Sequence, residues 1–423
     1  MTVAERLAGG VWGHLVGDAM GVPYEFTPPE GIDAVEWGHQ GTHRQPPGTW
    51  SDDGGLMLAL LDSLLECGFD AEDQGRRALR WLRQNAYMPG KVFDIGATTS
   101  QALRRIEQGI PAHESGLAGE GDNGNGSLMR ILPVALVNRE QPVHVVVERA
   151  MAASAVTHAH PRAQVTCAVY CLVARRLLRG DHPAAALTGA FSEVAAVLGP
   201  AHRTELDLLE HFPGRSGSGY VLDSFWSAWD AFSRSESYAE TITRAIRYGN
   251  DTDTTAAIAG GLAGIYWGLG GIPKEWLAGM RGKEIVEPLV ERLCATVSSV
   301  NEGASANLGK IPEAFEDYFK APKVRFPVAP AESGGVIQES GWYIRYFLGV
   351  EGARRFMELY GINRRTSDRH LRIHDDGAID VLPVVSEGFN FNPDTPGDRE
   401  RAKREQEAKD ASLIAELKSK GLW

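Results

Sequence analysis

The sequence predicts an all-α domain over residues 1–302, with a smaller α+β extension over residues 303–423. Three observations carry this. Apolar residues recur with helical period in six separate stretches. Short connectors rich in Gly, Pro, Asn and Asp separate them, as between the helices of a compact α-domain. Near residue 303 the composition changes to a segment rich in Pro, Gly and Ala, which reads as a linker with a short helix.

In chain order the helical stretches are LMLALLDSLLECG, QGRRALRWLRQNAY, TTSQALRRIEQG, VTCAVYCLVARRLL, YAETITRAIRYG and AAIAGGLAGIYWG. The glycines and alanines of the last would weaken an isolated helix. They also permit close backbone approach, so this helix is expected at the centre of the domain. In the extension, GARRFMELYG reads as a helix, and LRIHDDGAIDVLPVV reads as two strands joined by a turn at Asp375-Asp376-Gly377. The tail RERAKREQEAKDASLIAELKSKG is a charged helix with few apolar positions.

Composition narrows the function. The net charge of −12 argues against a broad nucleic-acid-binding face. Cys67, Cys167, Cys171 and Cys294 form no CxxC pair and read as free thiols of a reducing compartment. MTVAERLAGG lacks a signal-peptide pattern, and no apolar run reaches membrane-spanning length. The expectation is a soluble cytoplasmic protein without membrane partners.

The chemistry sits in two acidic clusters about two hundred residues apart. They are Ser51-Asp52-Asp53 in TWSDDGGLMLALL and Asp251-Thr252-Asp253-Thr254 in YGNDTDTTAAIAGGLAG. Oxygen-only ligands of this kind suit hard divalent cations such as Mg2+ or Mn2+. Four carboxylates brought together repel one another unless cations lie between them. The competing reading is helix capping, but the doubled acids exceed what a cap needs.

Other motifs are weaker alone. GDAMGVPYEF delivers Asp18 and Glu25 from a glycine-rich bend. GDNGNGSLMRILPVAL is a polar loop opening into an apolar helix, a natural anion cradle, though without Walker or GxGxxG spacing. In THAHPRA, His158 and His160 precede a helix-starting proline; with no cysteine or further histidine nearby, zinc is not expected there. For Arg130 a phosphate contact competes with an ion pair. Asp375 and Asp376 read as turn chemistry.

Taken in order, GDAMGVPYEF, TWSDDGGLML, GNGSLMRILPVAL, THAHP and GNDTDTTAAIAGGLAG resemble the ADP-ribosylglycohydrolase family, of the dinitrogenase-reductase-activating glycohydrolase type, across residues 5–295. The resemblance implies orthogonally packed helices with two Mg2+ or Mn2+ ions at the base of a cleft. Carried over by position, Ser51, Asp52, Asp53, Asp251, Asp253 and Thr254 would ligate the metals. Ser51 stands where the family usually has Thr, which keeps the hydroxyl. Glu25 matches an acid beside the metals. Gly124, Asn125, Gly126 and Ser127 match the loop that holds the diphosphate and distal ribose, and His158 the histidine beside the ligand. Residues after about 303 have no counterpart in the family's minimal domain.

The implied reaction is hydrolysis of the bond between the anomeric carbon of ADP-ribose and a protein side chain. Asp53, then Glu25, are the candidates for the proton-transferring carboxylate. An arginine linkage is expected, with Asp122 contacting the guanidinium or else closing its own loop end. The alternatives are a serine-linked or small ADP-ribose conjugate, or a partner-binding or immunity protein that neutralises an ADP-ribosylating toxin. The latter would dock through the extension and its Trp342-Tyr343 patch.

Overall fold

The computed structural model describes residues 1–306, with side chains through 297 (Ala201 apart), and five strands within the remainder. The helices of the first part are α1 Val3–Gly21, α2 Asp52–Cys67, α3 Ala71–Gln84, α4 Ala97–Glu107, α5 Ala112–Ser115, α6 Leu132–Val137, α7 Val143–Ala155 and α8 Pro161–Leu178. They continue with α9 Pro183–Val197, α10 Pro200–Glu210, α11 Val221–Ser233, α12 Tyr238–Ile246, α13 Thr252–Trp267, α14 Lys274–Gly279 and α15 Lys283–Ala306. All six sequence-predicted helices are present, within α2, α3, α4, α8, α12 and α13. Among the described residues no helix is long and apolar enough to cross a membrane. The chain divides into two compact units, Met1–Val300 and Asn301–Trp423.

At the centre of the first unit, α1 lies against α13. Both are buried on every side, from Leu7 to Gly21 and from Thr252 to Ile265. Small residues make this possible. Gly9, Gly13, Gly17 and Gly21 recur every fourth position of α1 and meet Gly264, Gly260, Ala256 and Asp253 of α13. A Cβ on Gly13 would lie 2.4 Å from the Gly260 carbonyl oxygen. Gly13→Ala is therefore expected to cost about 3 kcal/mol or more, because two helix backbones would have to separate. A urea melt reads it; an unchanged midpoint would mean that the helices shift freely. The same crossing sets the C-terminal end of α1, followed by the 3-10 turn Val22–Tyr24, beside the first turn of α13.

The second unit contains one antiparallel sheet in the order β1-β2-β3-β4-β5. Its strands are β1 Ser333–Glu339, β2 Trp342–Glu351, β3 Arg354–Asn363, β4 Arg369–His374 and β5 Ile379–Leu382. The expected pair around Asp375-Asp376-Gly377 is β4 and β5, registered Ile373 to Ile379. GARRFMELYG is not a helix: Arg354–Asn363 is a central strand, with Leu359 opposite Tyr346 of β2 and Leu371 of β4. Pairing on both edges overrides the helix preference of Met, Glu and Leu. Ser333–Gly335, read as linker, opens β1, and the Trp342-Tyr343 patch opens β2. The predicted tail helix lies outside the described residues.

Candidate metal centre and active site

Each acidic cluster opens a helix that runs into the core. Ser51 is the N-cap of α2, its hydroxyl accepting the Asp53 N–H at 3.3 Å. One hydroxyl therefore does the capping and leaves Asp52 and Asp53 for other work. Asp251 holds the N-cap position of α13 but makes no side-chain cap bond. Its carboxylate instead accepts from Asn125 Nδ2 at 2.8 Å. Capping does not account for these acids.

The fold joins the two clusters. Thr254 Oγ1 donates to Asp53 Oδ2 at 3.2 Å. Carboxylate oxygens of Glu25, Asp251 and Asp253 all lie within 4.8 Å of one another. Asp18 sits beneath, fully buried, accepting the N–H groups of Ser51 at 2.9 Å and Gly54 at 2.8 Å, and so fixes the start of α2. Glu25 is held beside Asp251 by a reciprocal backbone pair. Phe26 N–H donates to the Asn250 carbonyl and Asn250 N–H to that of Thr27, at 2.6 and 2.9 Å. Phe26 and Asn250 both take left-handed backbone, φ 62° and 59°, a conformation Asn tolerates and Phe rarely adopts.

The electrostatics are those of crowded, buried carboxylates. Burial, then neighbouring carboxylates, push Asp52, Asp53 and Asp253 well above the usual carboxylate range. Glu25 is pushed up to about 10 by burial, then by Asp94, Asp251 and Asp52. Asp18 rises to about 7, mainly through burial. Asp53 Oδ1 and both oxygens of Asp253 are buried without a hydrogen-bond partner. Such atoms cost several kcal/mol unless something neutralises them. Oxygen donors crowded to this degree fit a hard divalent cation.

The glycine-rich loop lies next to this cluster. Asn125 bonds both Asp251 and Ser224, and its backbone N–H donates to the Gly219 carbonyl at 3.0 Å. The ring of His158 packs directly under the loop: a Cβ on Gly126 would fall 2.9 Å from His158 Cε1. His158 is 2% exposed and bonds Thr157 Oγ1 through Nδ1. Ser127 also faces inward, accepting from Ser154 Oγ at 2.8 Å. Arg130 binds the carbonyls of Gly126 and Ala153 rather than a carboxylate. Asp122 accepts the Gly119 N–H at 3.0 Å, the loop-end bond left open by the sequence.

Burial, then the Arg130 charge, lower the His158 imidazole to about 3. Its folded pKa lies below the unfolded value near 6.5, so neutral His158 stabilises the fold above pH 6.5. That contribution falls as pH drops from 6.5 toward 3, where the unfolded chain takes a proton that the folded chain refuses. Urea melts at pH 7 and pH 5 are expected to show wild type losing about 1–2 kcal/mol more than His158→Gln. Equal losses would place the imidazole in water.

Three contributors escape sequence reading. His43 and Asp94 approach Glu25 from separate loops. Asp223 organises a loop that no motif marks. Its carboxylate accepts the N–H groups of Ser216 and Ser218 and the hydroxyls of Ser216 and Ser227. That loop in turn receives Asn125 N–H at Gly219 and Asp251 N–H at Gly217.

Residues 1–302 match the family model described as ADP-ribosylglycohydrolase. The chain belongs to the ADP-ribosylglycohydrolase family. Within it, the chain is 28% identical over 312 residues to the ADP-ribosylarginine hydrolase Tri1 of Pseudomonas putida strain GB-1, covering 72% of this chain and 82% of that protein. It is 30% identical over 287 residues to the ADP-ribosyl-[dinitrogen reductase] glycohydrolase of Rhodospirillum rubrum, covering 66% and 90%. A solved structure titled ADP-ribosylglycohydrolase-related protein complex aligns with a TM-score of 0.59 at 34% identity. It covers 69% of this chain and 98% of that one. The family model's match takes in both acidic clusters.

Proposed function

We propose that this chain is a metal-dependent hydrolase that removes ADP-ribose from modified arginine side chains of proteins, with residues 1–302 as its catalytic domain. The observation that carries the reading is the meeting of the two acidic clusters around the unpartnered buried carboxylate of Asp253. The arginine linkage is supported by the names of relatives from Pseudomonas putida and Serratia proteamaculans, both ADP-ribosylarginine hydrolases. The toxin-docking expectation for residues 303–423 gains no support from these relatives.

Ser51, Asp52, Asp53, Asp251, Asp253 and Thr254 would hold two Mg2+ or Mn2+ ions. Bound there, such ions polarise water and fix sugar hydroxyls. The remaining work falls to this chain's own groups. The loop Gly124–Ser127 cradles the diphosphate and distal ribose beside the start of α6, seated on His158, while Asn125 ties it to Asp251. Positive charge that develops on the ribose faces the carboxylates of Asp52, Asp53, Asp251 and Asp253, an arrangement fixed before reaction. Asp53, with Glu25 second, accepts the proton of the attacking water or returns one to the leaving guanidine. Asp122, on the rim turn before the loop, is the acidic partner for that guanidinium.

The test is release of ADP-ribose from an arginine-ADP-ribosylated protein with Mg2+, with EDTA, and with Asp52→Ala plus Asp253→Ala. Release that needs the metal and vanishes in the double variant is expected. Release only from a serine-linked or small conjugate would overturn the substrate and keep the site. No release from any linkage, with metal bound, would remove the hydrolase reading.

A further inference from the structure

Behind the glycine-rich loop, a cavity of about 20 Å3 is lined from α2, α3 and α4. Much of its wall is aliphatic, but Gln74, Thr99, Arg130 and Thr157 also line it. Gln74 is 7% exposed and Thr99 1%, and neither Gln74 Nε2 nor Thr99 Oγ1 has a hydrogen-bond partner. We infer that the cavity holds one ordered water bonded to both atoms, and that Gln74 and Thr99 act through it as positioning residues for the loop Gly124–Ser127.

Size and chemistry agree on the occupant. A buried water needs about 10–15 Å3 and a few polar partners, whereas a wholly apolar cavity stays dry. A buried amide N–H or hydroxyl left without a partner is costly. Gln74 Nε2 can only donate, while the Thr99 hydroxyl can donate or accept. One water satisfies both, accepting from the amide and sharing a proton with the hydroxyl. A halide could accept from both groups but is larger than a water.

The walls of this cavity converge on Gly126. A Cβ placed there would lie 3.0 Å from Thr99 Oγ1 and 2.9 Å from His158 Cε1. Thr157 Oγ1 is bonded to His158 Nδ1 at 2.8 Å, and Arg130 binds the Gly126 carbonyl. Gln74 comes from α3 and Thr99 from the first turn of α4. A bridging water is nearly as favourable as a direct hydrogen bond, so it ties the two helices together where Thr99 abuts the loop. That brace holds Gly126 from behind, while Asn125 holds the same loop to Asp251 in front.

The inference rests on the proposed role of this loop in holding the diphosphate, and the readouts keep the two apart. A high-resolution crystal structure of the full-length protein, amide hydrogen exchange over Gly124–Ser127 and ADP-ribose titration are compared for wild type, Thr99→Val, Thr99→Ser and Gln74→Leu. In wild type, density for one water is expected within hydrogen-bond distance of Gln74 Nε2 and Thr99 Oγ1. Thr99→Val and Gln74→Leu should lose it. Their loop amides should exchange about tenfold faster and their ADP-ribose Kd rise about tenfold, the effect of losing one hydrogen bond. Thr99→Ser keeps the hydroxyl and should keep the water, the exchange rate and the affinity. Faster exchange in the two variants, with no ADP-ribose binding even by wild type, would uphold the brace and remove the loop's assigned ligand. A dry cavity in wild type, a halide revealed there by the anomalous signal of bromide, or unchanged loop exchange in both Thr99→Val and Gln74→Leu would overturn the inference.

Discussion

Asp253→Asn is expected to lower turnover by about a thousandfold while making the cation-free protein more stable. The two effects share one cause. Both Asp253 oxygens are buried without partners, beside Glu25, Asp53 and Asp251. Without a cation, burial first and these neighbours second raise its pKa well above 3.8. A folded pKa above the unfolded one means that stability is highest below about pH 4 and falls as pH rises, because the unfolded chain ionises while the folded chain resists. An amide does not ionise, so at pH 7 in EDTA the variant should gain about 1–3 kcal/mol. With Mg2+ or Mn2+ the order reverses. A ligand at a hundred times its Kd stabilises the native state by about 2.7 kcal/mol, and the variant loses most of that. Thermal melts in EDTA and in metal, beside turnover, make the check. A variant that is less stable in EDTA and still turns over would make Asp253 a structural acid.

How much of this was legible depended on the kind of signal. Asp52, Asp53, Asp251 and Asp253 stood out because paired acids before apolar helices exceed capping, and the structure shows one hydroxyl, Ser51, sufficing as the cap. The central place of α13 followed from its Gly and Ala content, although the matching four-residue glycine ladder of α1 became meaningful only once the two helices met. Side-chain direction was not legible. The GNG motif marked a loop, but nothing in it turned Ser127 inward or put His158 beneath Gly126. His43 and Asp94 are single residues in loops, and closure of the chain alone brings them to Glu25. β3 was misread because its helix-forming residues obtain strand partners from both sides.

The largest effect away from the acids is expected at Asp223, which touches none of them. Its two oxygens gather the N–H groups of Ser216 and Ser218, at 3.0 and 2.9 Å, and the hydroxyls of Ser216 and Ser227, at 3.0 and 3.1 Å. The loop so formed presents the Gly219 carbonyl to Asn125 N–H and the Gly217 carbonyl to Asp251 N–H, at 3.0 and 2.9 Å. One carboxylate thus sets the spacing between the glycine-rich loop and the second acidic cluster. Asp223→Ala strands two backbone donors, each costing about 1–3 kcal/mol, so the fold should lose about 3 kcal/mol. The functional consequence should be uneven. ADP-ribose affinity is expected to fall about tenfold or more, because the Asn125 loop drifts from Asp251, whereas the rate on bound substrate changes less. Asp223→Asn, which keeps one acceptor oxygen, should recover part of both. ADP-ribose titration of the folded variants reads the affinity, and a urea melt reads the stability. Unchanged affinity alongside the lost stability would show that the loop holds the fold together without positioning the ligand.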